Sequence, residues 1–229
     1  MPETDPKTRL LEAAMPHVPF DGWSETTLRL AAADAGIDRA MVDAVCPRGA
    51  VDLALAWHEA GDAAMVAALE AADLGAMRFR DRVAFAVRTR LDLVEDRELV
   101  RRGMTLFALP QYAGDGTRAM WRTADRIWTA LGDTSQDINW YTKRATLSGV
   151  YGSTVLYWLG DESEGQARTW EFLDRRIEDV MQIEKFKAKA RENRLVSGLM
   201  SGPLGFLSRV RAPQDRQQAG MPGRWRAPN

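Results

Sequence analysis

Nowhere in these 229 residues do apolar and polar residues alternate with a period of two along a β-branched run. Helix-start and helix-stop signals recur instead from end to end, so the chain is predicted to be all-α, with about ten helices and no sheet. Asp5 before Pro6 reads as an N-cap followed by proline at the first helical position. The helix it opens runs to about Ala14, where Pro16 and Pro19 stop it. Ser24 caps the next helix, SETTLRLAAADAG, and Gly36 closes it. Asp38 starts a short helix that Pro47 breaks, and a longer helix from about Arg48 is expected to bend or break at Gly61.

Further on, Val83, Val87, Leu91 and Val94 form one apolar stripe, and Leu99, Met104, Phe107 and Ala108 belong to the next helix. Pro110, Gly114 and Gly116 punctuate the chain before TRAMWRTADRIWTAL, where Met120, Ile127, Trp128 and Leu131 lie on neighbouring turns. The segment 137–160 is apolar on nearly every face after its first turn and is expected to be a central, buried helix. Ser163 and Gln166 have capping-box spacing ahead of an amphipathic helix with Trp170, Leu173, Ile177 and Met181 inward. These elements are predicted to form one domain over 1–212: a helix-turn-helix-like part at 6–60, a bundle for ligand binding and dimerisation at 61–184, and a basic amphipathic helix at 185–211. Residues 213–229, rich in Pro, Gly, Gln and Arg, read as a disordered tail.

Composition narrows the chemistry. Cys46 stands alone, which excludes an internal disulfide and a thiolate metal cluster within the chain. Only His17 and His58 are present, and neither follows a glutamate by three residues, so a bundle-type di-iron site is excluded. No phosphate-binding glycine loop and no nucleophile motif is visible, so no catalytic residue, metal or cofactor is predicted. The chain from Ser24 to Glu59 has the layout of a helix-turn-helix head, yet carries three Arg against six acids. Phosphate contacts supply most of the affinity of such heads, so an acidic one argues against nucleic acid as a partner.

The net charge of −1 hides an asymmetry: residues 185–229 hold ten Lys or Arg and two acids, on a body of net −9. Within that basic region Leu195, Val196, Leu199, Met200, Leu204, Phe206 and Leu207 are the expected membrane-binding residues, flanked by cations and backed by small polar residues. No stretch is long and apolar enough to span a bilayer, so the expected location is cytoplasmic, peripheral to the inner membrane. Ser148, Gly149, Gly152 and Ser153 place small residues midway along the central helix, between aromatic ends, which fits either close helix packing or a groove for an apolar ligand.

Several of these stretches resemble the Coq-nine family of ubiquinone-biosynthesis accessory proteins. They are DINWYTKRA at 137–145, GVYGSTVLYWL at 149–159, TWEFLDRRIEDVM at 169–181, the stretch from Ala14 to Trp23, and PRGAVDL at 47–53. The resemblance implies a TetR-like fold and a non-catalytic role. It also implies binding of aromatic isoprenoid quinone intermediates in an apolar pocket of a homodimer, their presentation to the di-iron hydroxylase of the pathway, and docking on the membrane surface by a C-terminal amphipathic helix. Trp140 and Tyr141 match the family's partner-binding pair, and Asp125, Ile127 and Trp128 the adjoining patch. A Trp140→Lys change is then expected to weaken hydroxylase binding and leave the fold intact. Met104, Phe107, Trp121, Leu147, Tyr151, Val155 and Trp158 are the expected lipid-binding residues. A ligand-sensing TetR-type regulator and a lipid-free scaffold are the competing readings.

Overall fold

The computed structural model describes residues 5–192 and Arg211, with side chains through Gln182 and for Arg211. The expected membrane-binding residues Leu195 to Leu207 and the tail from 213 lie outside the described residues. Among the described residues there are ten α-helices and no strand. They fall into two compact units, one of residues up to 68 with 90–119, the other of 69–89 with 120 onward.

The first unit contains α1 (Pro6–Ala14), α2 (Val18–Asp21), α3 (Glu25–Ala35), α4 (Arg39–Val45), most of α5 (Ala50–Ala71) and α7 (Arg97–Phe107). Its helix starts follow the sequence signals closely. The Asp5 carboxylate accepts from the Thr8 amide, Ser24 Oγ from Thr27, and Asp38 from Met41. Gly36, at φ +63°, ends α3 with the Ile37 amide bonded back to the Ala32 carbonyl, which makes the tight turn into α4. Leu10, Ala14, Val18, Leu28, Ala31, Val42, Leu53 and Leu99 pack together around Trp23. The Trp23 indole N–H donates to the Leu99 carbonyl at 3.1 Å, so this large side chain is buried with its polar atom satisfied.

Three sequence expectations change in detail. Pro19 does not stop a helix but sits in the first turn of α2, where its missing N–H costs nothing. α5 runs unbroken through Gly61. The reason for that glycine is the close approach of a side chain, since a Cβ there would lie 2.7 Å from the Arg90 guanidinium carbon. Arg90 is itself buried and pairs with buried Asp62 at 2.8 Å. Likewise Gly114 and Gly116 fall inside the first turn of α8 (Ala113–Ala130), where Phe107 packs against Gly116, rather than before it.

The second unit holds α6 (Phe79–Asp92) as far as Thr89, α8 from Met120, α9 (Ile138–Leu159) and α10 (Ala167–Glu192). Val83, Val87 and Leu91 are buried as expected, but α6 ends at Asp92 and leaves Val94 beyond it. In α9, capped by Asp137, the buried residues are Trp140, Arg144, Leu147, Val150, Tyr151, Thr154, Val155 and Trp158, on a single face. The opposite face is open at Leu156, which is 60% exposed, so the helix is not buried all round. The capping box also fails. Gly165 and Gln166 have positive φ, and the Asp161 carboxylate takes the capping role by accepting from the Thr169 amide and hydroxyl. Those bonds, with one from Ser163, hold the Asp161 carboxyl well below its ordinary range. Residues 185–192, expected to begin a separate basic helix, continue the backbone of α10.

Candidate functional site

α9 presents Trp140, Lys143, Arg144 and Leu147 on adjacent turns of the second unit, and each does a different job. Arg144 is buried, with its guanidinium 4.0 Å from the centre of the Trp140 ring. It pairs with Asp125 on α8 and with Asp133 in the loop that follows, the latter at 3.0 Å. Lys143 reaches the other oxygen of Asp133 at 2.8 Å and Ser135 Oγ at 2.7 Å. Burial alone would raise the Asp133 pKa, but the bonds from Lys143, Ser135 and Arg144 outweigh it and hold it at about 2. The connection between α8 and α9 is thereby tied to α9 by two cations on one carboxylate.

That clamp fixes one wall of a groove. The Trp128 indole donates to the Lys143 carbonyl at 3.1 Å, and its ring stacks on Phe79 of α6 with centroids 5.6 Å apart. Between α6, α8, α9 and α10 lies a cavity of about 190 Å³. Val83, Leu147, Val150, Ile177 and Met181 give it apolar walls, and Arg80, Asn139, Thr142 and Lys143 give it polar ones. A cavity of about 150 Å³ holds a benzene ring, so this one suits an aromatic ring and is too small for a long prenyl chain.

The expected site residues separate under this geometry. Of the partner patch, Trp140 and Ile127 are core residues, exposed by 1% and 0%. Tyr141, Asp125 and Trp128 keep partial exposure, and a direct partner contact would fall on them. A lysine at position 140 would put a charge among Trp121, Tyr141 and Arg144, so Trp140→Lys cannot leave the fold intact as expected from sequence. Of the lipid group, Met104 and Phe107 belong to the first unit, where Phe107 packs on the core. Trp121, Leu147, Tyr151, Val155 and Trp158 all lie buried in the second, and only Leu147 of these lines the cavity. The Trp121 indole N–H is buried with no acceptor among the described residues.

Sequence reasoning missed Phe79, Arg80, Thr142, Lys143 and Thr146 as groove residues. Thr142 and Thr146 are four apart, as are Lys143 and Leu147, which would have placed the four on one side of the helix, but nothing in the pattern marks that side as concave. In the first unit, partly buried His58 lies 3.6 Å from Asp62, and desolvation pushes its pKa below the ordinary histidine value. Among the described residues no group of three His, Cys, Asp or Glu is placed to hold a metal ion, and no helix is long and apolar enough to cross a membrane.

Comparison with known proteins bears on the same region. Residues 113–184, which include the clamp and much of the groove, match the COQ9 family model. The chain is similar to the ubiquinone biosynthesis protein COQ9, mitochondrial, of Drosophila melanogaster, with 33% identity over 183 residues, 78% of this chain and 56% of that protein. The protein of the same name from Rattus norvegicus is 33% identical over 202 residues, 84% of this chain and 64% of its own length. That from Homo sapiens is 30% identical over 202 residues, 84% and 63%. The chain thus spans somewhat more than half the length of these relatives. Among solved structures it resembles a TetR transcriptional regulator from Nitrosomonas europaea, with a TM-score of 0.60 and 20% identity, covering 76% of this chain and 97% of that one. That likeness establishes a TetR-like fold, while the family match and the relatives show that the chain is similar to COQ9 proteins over most of its own length.

Proposed function

We propose that the protein is a non-catalytic lipid-binding component of ubiquinone biosynthesis that takes up aromatic isoprenoid intermediates and presents them to a di-iron hydroxylase. The observation that carries this reading is the ring-sized apolar groove of the second unit, most of whose lining falls within the stretch matched to the family. A polyprenyl tail buries poorly in water, each CH₂ contributing about 0.8 kcal/mol, so extraction from a bilayer needs an apolar acceptor close to the membrane surface. The basic, apolar stretch around Leu195–Leu207 is the proposed membrane contact, peripheral on the cytoplasmic side of the inner membrane, and a homodimer is the proposed working state. The groove accepts the ring, and the tail remains in the lipid or on the protein surface. Tyr141, with Asp125 and Trp128 beside it, is the proposed hydroxylase contact, as half-exposed aromatics are at other interfaces.

A DNA-binding regulator of the same fold gains no support from the helix-turn-helix head, whose −3 charge opposes phosphate contacts. The test is solvent extraction of the purified protein and mass spectrometry of the released lipids. Thr146→Trp, which fills the groove from its exposed rim, serves as the control. A stoichiometric quinone or prenylated phenol that the variant lacks supports the reading. Absence of any such lipid from the native protein would replace it with a lipid-free scaffold.

A further inference from the structure

The groove has an unusual charge arrangement for a site with two basic side chains in its wall. Arg80 and Lys143 are the charged groups that line it, and no carboxylate lines it with them. Each cation is nonetheless already matched from outside the wall. Arg80 donates to Glu178 of α10 at 2.8 Å and has Asp81 at 3.7 Å. Lys143 is held by Asp133 at 2.8 Å and spends a second hydrogen on Ser135. An ammonium has three hydrogens, so it keeps donor capacity in a site whose net charge is cancelled.

We infer that the groove selects uncharged, ring-sized ligands carrying a hydrogen-bond acceptor, such as phenols and quinones, and rejects anionic amphiphiles, because Glu178 and Asp133 have already neutralised its two cations. This rests on the reading of the groove as a ligand site and adds a specificity rule to it. An entering carboxylate or phosphate must shed water and then compete with a carboxylate at either cation, under repulsion from both. A neutral oxygen meets neither penalty and can still accept a bond from Lys143, Asn139 or Thr142. Phosphatidyl head groups and fatty acids, far more abundant at a membrane than any biosynthetic intermediate, are thereby kept out. Glu178 and Asp133 act as specificity-determining residues without touching the ligand.

The experiment is calorimetric titration of the full-length protein with 4-butylphenol and with 4-butylbenzoate at pH 7, two probes matched in ring and tail and different in charge. The native protein is expected to bind the phenol at least about tenfold more tightly than the benzoate. Glu178→Gln, a change at a partly exposed position, leaves Arg80 only Asp81 at 3.7 Å, which Arg78 already holds at 2.7 Å, and is expected to tighten benzoate by about tenfold while the phenol stays within about twofold. Thr146→Trp should abolish binding of both, which locates the event in the groove. Equal binding of the two probes by the native protein, or no gain for benzoate in Glu178→Gln, would overturn charge selection and leave the ligand site standing. No binding of either probe would remove the ligand site and the selection rule together.

Discussion

The two compact units use the same costly residues to opposite ends. Each buries an arginine against carboxylates, and each holds large tryptophans. In the first, Trp23 is buried with its N–H on the Leu99 carbonyl and its ring 5.7 Å from Trp57, while Arg90 fills the notch left by Gly61 and pairs with Asp62. These contacts close a core. In the second, Arg144 and Lys143 share Asp133, Trp128 hangs from the Lys143 carbonyl, and its ring faces Phe79 beside an open groove. Here the ion pairs keep a wall in place so that space beside it stays empty. A buried ion pair is weak evidence for stability alone, and the contrast shows when it has a second use.

The sharpest break of that contrast is to remove each arginine. Arg90→Met takes the arginine from buried Asp62, and Arg144→Met takes one of the two cations from Asp133 and the cation from Asp125, so each is expected to lose about 3–5 kcal/mol in urea denaturation. Only Arg144→Met should also weaken 4-butylphenol, measured under conditions where the variant remains folded. Equal loss of ligand in both variants would mean that the groove depends on general stability and not on the clamp. A second comparison concerns two helical glycines. Gly61→Ala drives a methyl into the Arg90 guanidinium and is expected to destabilise by about 1–3 kcal/mol. Gly149→Ala meets nothing within 4 Å and should stabilise by about 0.5–1 kcal/mol through helix propensity. Shifts of the same sign in the two denaturation midpoints would contradict this account of Gly61.

Acid separates the units further. Asp133 titrates at about 2 in the folded chain, below the ordinary aspartate value near 4 expected when unfolded. Its pairs therefore contribute full stability above about pH 4 and lose it as the pH falls from there through 2. The deficit of Asp133→Asn relative to the native chain should be constant near neutrality and shrink across that window. A deficit that persists unchanged at pH 2 would show that packing and not charge sets the role of Asp133.

Local signals in the sequence were good guides to helix starts and poor guides to what a side chain meets across the fold. Asp5, Ser24, Asp38 and Gly36 act within a few residues of themselves, so their roles were readable from neighbours. Gly61 and Gly116 answer to Arg90 and Phe107, which lie 29 and 9 residues away, and were therefore mistaken for breaks. The Ser163–Gln166 spacing satisfied the capping-box pattern, but Asp161 offers a charged acceptor to Thr169 and prevails over a hydroxyl. Of the groove, only Leu147 was anticipated, because an amphipathic pattern marks which residues face inward and carries no information on whether the inward side is filled. Trp140 shows the same limit, since its aromatic character fits a binding surface as well as the core position it occupies.

The smallest expected change in stability belongs to Thr146→Trp, and that smallness is its value. Thr146 is exposed at the groove rim, so a larger side chain there has solvent into which it can relax. Surface changes of this kind fall within about 0.5 kcal/mol. The indole has a second option, which is to turn inward over Val83, Val150 and Ile177 and bury apolar area that the native chain leaves open. If it does, the variant should be slightly more stable than the native chain and lose the phenol at the same time. That pairing of gained stability with lost binding would show that the unit keeps the groove empty at a small cost in stability. A variant that is destabilised by more than about 1 kcal/mol would instead place Thr146 in the packed core and take away the rim on which the access argument depends.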